Sequence, residues 1–80
     1  MFRKGEGLTM TTIVPKGKEI KELRIRRGLS LRGLARKSNT HYSTISNAEN
    51  VRCNATPKTA KAICDALQKS FDELFDIKEE

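Results

Sequence analysis

Behind the pair Thr56-Pro57, residues Ala60, Ile63, Cys64 and Leu67 recur at intervals of three and four, and no other stretch constrains the fold as strongly. A hydroxyl cap followed by proline starts a helix where a missing N–H costs nothing, and the spacing gives that helix one apolar stripe to bury. Shorter blocks of the same kind lie on either side. Ile20 and Leu23 place a first helix over about Lys18 to Arg27, entered after Pro15 and ended by Gly28. Ser30 caps a second over Leu31 to Lys37, with Leu34 and Ala35 inward; Gly33 costs it about 1 kcal/mol relative to alanine, so it depends on packing. Ser38, Asn39 and Thr40 make a tight turn, with Asn39 suited to a left-handed backbone. A third helix runs near Tyr42 to Asn50. Ser70 caps a fifth, with Asp72 and Glu73 in its first turn and Phe71, Leu74 and Phe75 as its apolar face. Five short helices and no firm strand predict an all-α bundle.

The remaining sequence sets the boundaries. Met1 to Lys16 lacks helical spacing and is read as a flexible N-terminal arm, in which Thr9 to Val14 suits a short strand that would need a partner edge. Residues 17–77 form the single domain expected of a chain this short, and 78–80 an acidic tail. No apolar run reaches the roughly 20 residues that span a bilayer and no cleavable leader follows the basic N-terminus, so a cytoplasmic protein without a membrane partner is expected. Cys53, Cys64 and the lone His41 are too few for a disulfide scaffold or a structural zinc site. With one histidine and no Gly-rich phosphate loop, neither enzymatic activity nor a cofactor or small-molecule substrate is expected. Cys64, on the inner stripe of its helix, reads as a packed thiol; Cys53, in a loop, is the exposed one.

Charge is distributed unevenly. Residues 1–40 carry eleven Lys/Arg against Glu6, Glu19 and Glu22, a balance of +8, whereas residues 41–80 carry five against seven, a balance of −2. Clustered cations on one half suit a polyanion, because each phosphate they neutralise releases counterions. The third helix supplies the complement. At 100° per residue Ile45, Ala48 and Glu49 share one side, and Ser43, Asn47 and Asn50 fall opposite. An outward face of hydroxyls and amides is unusual on a solvated helix, which normally carries charged, helix-favouring residues. It suits base edges: asparagine can bridge adenine N6 and N7, serine donates or accepts, and Tyr42 can touch a thymine methyl or a phosphate.

Gly28-Leu29-Ser30, Leu34-Ala35, Ser43-Thr44-Ile45-Ser46, Glu49-Asn50, Thr56-Pro57, Ala66-Leu67 and Asp72-Glu73-Leu74-Phe75 together resemble the Cro/repressor-like, or xenobiotic-response-element, helix-turn-helix family, without a gap from Ile20 to Phe75. The resemblance implies a five-helix, lambda-repressor-like bundle whose third helix enters the major groove of double-stranded DNA. It implies repressors or activators of phage, mobile-element or bacterial genes, usually homodimers on inverted repeats. On the matching positions, His41, Tyr42, Ser43 and Asn47 read bases. Ser30, Leu31, Arg32, Ser46, Asn50 and Arg52 hold the phosphate backbone. Arg24 pairs with Glu49, tying helix one to the end of helix three and leaving its fork able to share a phosphate.

Where the chain departs from the family pattern, consequences follow. Asn39 and Val51 replace the glycines expected in the turn and after helix three, so both exits are more strained. Leu31 stands where glutamine is frequent, exchanging an amide contact for a methyl contact or packing. His41 occupies the cap position, and Thr40 is an alternative cap. No separate dimerisation domain is expected after Phe75; Phe71, Phe75 and Ile77, on helix five and its surroundings, or the Thr9 to Val14 arm pairing across the axis, are the candidate dimer contacts, with the helix five surface favoured. The leading expectation is a sequence-specific DNA-binding transcription regulator. The alternative is an antitoxin or accessory module that binds another protein and touches DNA secondarily.

Overall fold

The computed structural model describes residues 11–79. Strand β1 (Thr11–Pro15) leads into α1 (Gly17–Arg26), α2 (Leu31–Ser38), α3 (Tyr42–Glu49), α4 (Pro57–Leu67), the single turn α5 (Phe71–Leu74) and strand β2 (Phe75–Glu79). The part of the arm before Thr11, with Arg3 and Lys4, lies outside the described residues, as does Glu80.

The helices start and face as the apolar spacing predicts. Ile20 from α1, Leu34 from α2, Ile45 from α3, and Ile63 and Leu67 from α4 are wholly buried around Phe75. Each contributes about 1.5 to 3 kcal/mol relative to an exposed side chain. Ser30 Oγ accepts the Gly33 N–H at 3.0 Å and Thr56 Oγ1 accepts the Thr59 N–H at 3.2 Å, so both anticipated caps are made. Leu31 is half-buried and packs on the core.

Four helices end alike. Leu29 N–H reaches back to Arg24 O, Thr40 to Ala35 O, Arg52 to Asn47 O and Lys69 to Cys64 O, each bond closing over a residue of positive φ. That geometry is the Schellman end, whose left-handed position favours glycine. Here the four positions hold Gly28, Asn39, Val51 and Gln68. Asn39, at φ 57°, is where its short amide predicts it. Val51, at φ 52°, places a β-branched side chain where such residues are outliers, and Gln68 was not anticipated there.

The bundle is not all-α. Thr11–Pro15 pairs antiparallel with Phe75–Glu79, from Thr11 opposite Glu79 to Pro15 opposite Phe75, and Ala55 N–H donates to Ile13 O at 2.9 Å along the other edge of β1. Thr11–Pro15 is thus a strand rather than flexible arm, and its partner edge is the chain's own C-terminal segment. The fifth helix stops after one turn because Leu74 O accepts the N–H of Lys16 at 2.8 Å and Phe75 turns extended, at φ −141° and ψ 153°. Phe75 is 1% exposed. It is therefore core, and corrects its assignment to a dimer surface.

Candidate nucleic-acid interface

Packing, a close backbone approach and an ion pair hold the inner side of α3 against the rest of the molecule. Its inner residues Ile45 and Ala48 are buried. Gly17 lies against its last turn so closely that an added Cβ would collide with the Glu49 carbonyl oxygen and sit 2.9 Å from that of Ala48. The third is the predicted ion pair: Arg24 Nε–H donates to Glu49 Oε2 at 2.5 Å and Nη2–H to Oε1 at 3.1 Å, a two-pronged match of planar groups. Arg24 Nη1–H donates to Leu29 O at 2.8 Å, and the side chains of Arg24 and Glu49 are only 11% and 5% exposed. Arg24 is thereby committed to α3 and to the turn after α1; the expectation that its fork would also serve a phosphate does not fit this burial.

The outer side of α3 is left to solvent. His41, Tyr42, Ser43 and Asn50 are exposed, and Thr44, Ser46 and Asn47 half-exposed. His41 is in the cap position, extended at φ −77° and ψ 147°, yet its side chain makes no cap bond. Thr40 does not replace it: its Oγ1 is 2.9 Å from Ser38 Oγ, inside the turn. Neither α2 nor α3 carries an acidic residue in its first turn, so the positive ends of both helices are not neutralised by their own side chains. Asn50 Nδ2–H donates to Ser46 O at 2.8 Å, which fixes its amide at the end of the helix.

Cations flank this uncharged face. The Arg32 guanidinium lies 4.9 Å from the centre of the Tyr42 ring, a cation–π contact that joins α2 to the start of α3. Arg36 lines the same groove as Arg32, His41, Tyr42 and Ser43. Lys58, in the first turn of α4, lines a neighbouring groove with Thr40, His41 and Thr44. Sequence reasoning had singled out neither Arg36 nor Lys58. Arg36 follows from one helical turn beyond Arg32, whereas nothing local signals that α4 brings Lys58 beside His41. Arg52, exposed, leaves the Schellman turn at the far end of α3. Of the candidate backbone residues, Ser30 spends its hydroxyl on the cap and Leu31 packs inward, while Arg32, Ser46, Asn50 and Arg52 border the open face.

The other singled-out groups separate cleanly. Cys64 is buried, its Sγ 3.7 Å from Ser70 O, and burial, reinforced by Asp65, pushes its thiol pKa up. Cys53 is exposed. Phe71 is half-buried against Phe75, the ring centres 5.5 Å apart, and Ile77 is 58% exposed. Among the described residues, no group of three His, Cys, Asp or Glu is placed to hold a metal, and no helix is long and apolar enough to cross a membrane.

The helix-turn-helix family model matches residues 20–74. The restriction-modification controller protein C.AhdI from Aeromonas hydrophila is similar in structure, with a TM-score of 0.67 and 28% identity over 71% of this chain and 86% of that one. The restriction-modification controller protein C.Esp1396I gives a TM-score of 0.63 and 33% identity over 71% and 77%. The clp gene regulator ClgR from Corynebacterium glutamicum gives 0.65 and 26%, over 71% of this chain and 61% of its own. This chain thus spans less than two thirds of that ClgR chain. No curated protein matches.

Proposed function

The chain belongs to the helix-turn-helix family and is a DNA-binding transcription regulator, and we propose that it reads an inverted repeat in double-stranded DNA as a homodimer, with α3 of each copy in the major groove. One observation carries this reading: α3 presents an uncharged face of Ser43, Asn47 and Tyr42, held rigidly from behind by Arg24–Glu49 and bordered by Arg32, Arg36, Arg52 and Lys58. Phosphate contacts from the border set register and affinity, and the face discriminates between bases. Two copies are needed because one domain of this size buries too little surface for a specific site at physiological salt.

Regulation is also what the similar structures share, two restriction-modification controller proteins and a clp gene regulator among them. Selection of bound sequences from random duplex DNA at near-physiological salt tests the proposal. The expected product is a two-fold repeat with half-site centres about one helical turn apart. Recovery of an asymmetric site bound by one copy, or no enrichment at all, would overturn it.

A further inference from the structure

Strand β1 is bonded along both edges, by β2 on one side and Ala55 on the other, but among the described residues nothing pairs with the outer edge of β2. The direction of each backbone group on that edge follows from the register. Lys16 N–H bonds Leu74 O, and in an antiparallel ladder bonded pairs alternate. Val14 opposite Asp76 and Thr12 opposite Lys78 are therefore the bonded pairs, and the backbone groups of Phe75, Ile77 and Glu79 point away from β1. The Phe75 N–H is taken by Phe71 O. What remains outward is the C=O of Phe75 and both groups of Ile77 and of Glu79. Beside them stands Ile77, more than half exposed.

We propose that two copies of this chain join along this edge about a two-fold axis at Ile77, making one continuous four-stranded antiparallel sheet. The proposal rests on the homodimer reading above and names its surface. Centred on Ile77, the two strands exchange N–H and C=O at Ile77, and each Glu79 N–H meets the other copy's Phe75 C=O, so the bonds formed use only the free groups. The same register sets Asp76 opposite Lys78 twice. Sliding by two residues in either direction sets Asp76 opposite Asp76 or Lys78 opposite Lys78. Charge on an edge strand ordinarily blocks pairing; here it selects one register and opposes the others.

Three variants test the edge by sedimentation, with helical circular dichroism as the folding control. Ile77→Pro removes an outward N–H and no ladder bond, and is expected to weaken dimerisation at least tenfold. Lys78→Asp alone and Asp76→Lys alone place like charges opposite one another and are expected to weaken it similarly, whereas an equimolar mixture of the two restores the wild-type dimer as a heterodimer. Asp76 also lies 3.7 Å from Lys16, an exposed pair of little weight. Wild-type affinity in the folded proline variant, or a mixture that stays monomeric, overturns the proposal. So does a wild type that is monomeric both alone and on DNA. The two readings fail separately. A chain that dimerises through β2 but binds no duplex loses the DNA reading alone. A proline variant that still binds the inverted repeat as a dimer loses the edge alone.

Discussion

Between Ser30 and Arg52 the backbone turns close on partners a few residues away, whereas β1 and β2 exist only because Thr11–Pro15 and Phe75–Glu79 meet from the two ends of the described chain. The first region carries the uncharged face and most of its cationic border. The second carries no residue of that face. It completes the core with Phe75 and ends in a free edge. Recognition is thus built from short-range instructions and closure from long-range ones, and each should be damaged without remaking the other.

Arg24 is where the separation is weakest, because it reaches from α1 to the last turn of α3. Arg24→Ala would leave the Glu49 carboxylate buried without its partner, a loss of about 3 to 5 kcal/mol. The melting temperature should fall steeply, and affinity for specific and random DNA should fall with it. An unchanged melting temperature would remove the pair from its structural role and leave α3 held by packing alone.

Next in size is a cut through the sheet. Lys78→Pro deletes an N–H that faces β1 and should cost about 1 to 3 kcal/mol, the penalty of a carbonyl left unpaired. Amide exchange should accelerate in β1 and β2 and stay slow at the ends of α2 and α3. Equal acceleration in both regions would show that closure and recognition form one cooperative unit.

The same contrast explains what could be read from the sequence. Ser30, Asn39 and Thr56 each have a side chain whose chemistry names its own backbone position, and the intervals from Ala60 to Leu67 name a buried face. The outward set of α3 followed from 100° per residue. Strand β2 left only a short trace: Phe75-Asp76-Ile77-Lys78 alternates apolar and polar over four residues, but Phe75 also completed an apparent helical stripe with Phe71 and Leu74, and that reading prevailed. What turns it extended is Lys16, distant in sequence. Lys58 was missed for the same kind of reason, since only the packing of α4 against α2 brings it beside His41.

On the recognition side, Asn47→Ala should reduce affinity for the selected site by about 1 to 2 kcal/mol while leaving random-sequence binding and the melting temperature nearly unchanged. Asn47 faces outward and its side chain is half-exposed, so little stability depends on it. Equal losses on both DNAs, measured by fluorescence anisotropy, would move Asn47 from base reading to the backbone border.

Val51 offers a smaller effect of opposite sign. Its left-handed backbone costs a β-branched residue about 1 to 2 kcal/mol, and glycine recovers part of that while adding freedom to the unfolded chain. Val51→Gly should therefore stabilise by up to about 1 kcal/mol, raising the melting temperature by a few degrees. No gain would mean that the exposed valine side chain makes up for its backbone strain in the free protein.

The smallest expected effect lies at the junction of the two regions, in α5. Glu73 accepts the Ser70 N–H at 3.0 Å and the Ser70 Oγ–H at 2.9 Å, and these bonds, helped by Lys69, hold its carboxyl pKa below the ordinary value. A folded-state pKa lower than the unfolded one means that the charged carboxylate stabilises above the ordinary carboxylate range. That contribution is lost as acid carries the pH down through the folded value, which lies below the ordinary carboxylate range. Glu73 is solvent-exposed, so the change is modest and best read as a difference: Glu73→Gln should melt below wild type at pH 7, with the gap narrowing as the pH falls below the ordinary carboxylate range. A gap that does not narrow with acid would assign the effect to side-chain packing rather than to the carboxylate. Because α5 passes directly into β2, acid should loosen amide protection in Phe71–Glu79 before it reaches α2 and α3, and simultaneous loss would argue against treating closure as separable from recognition.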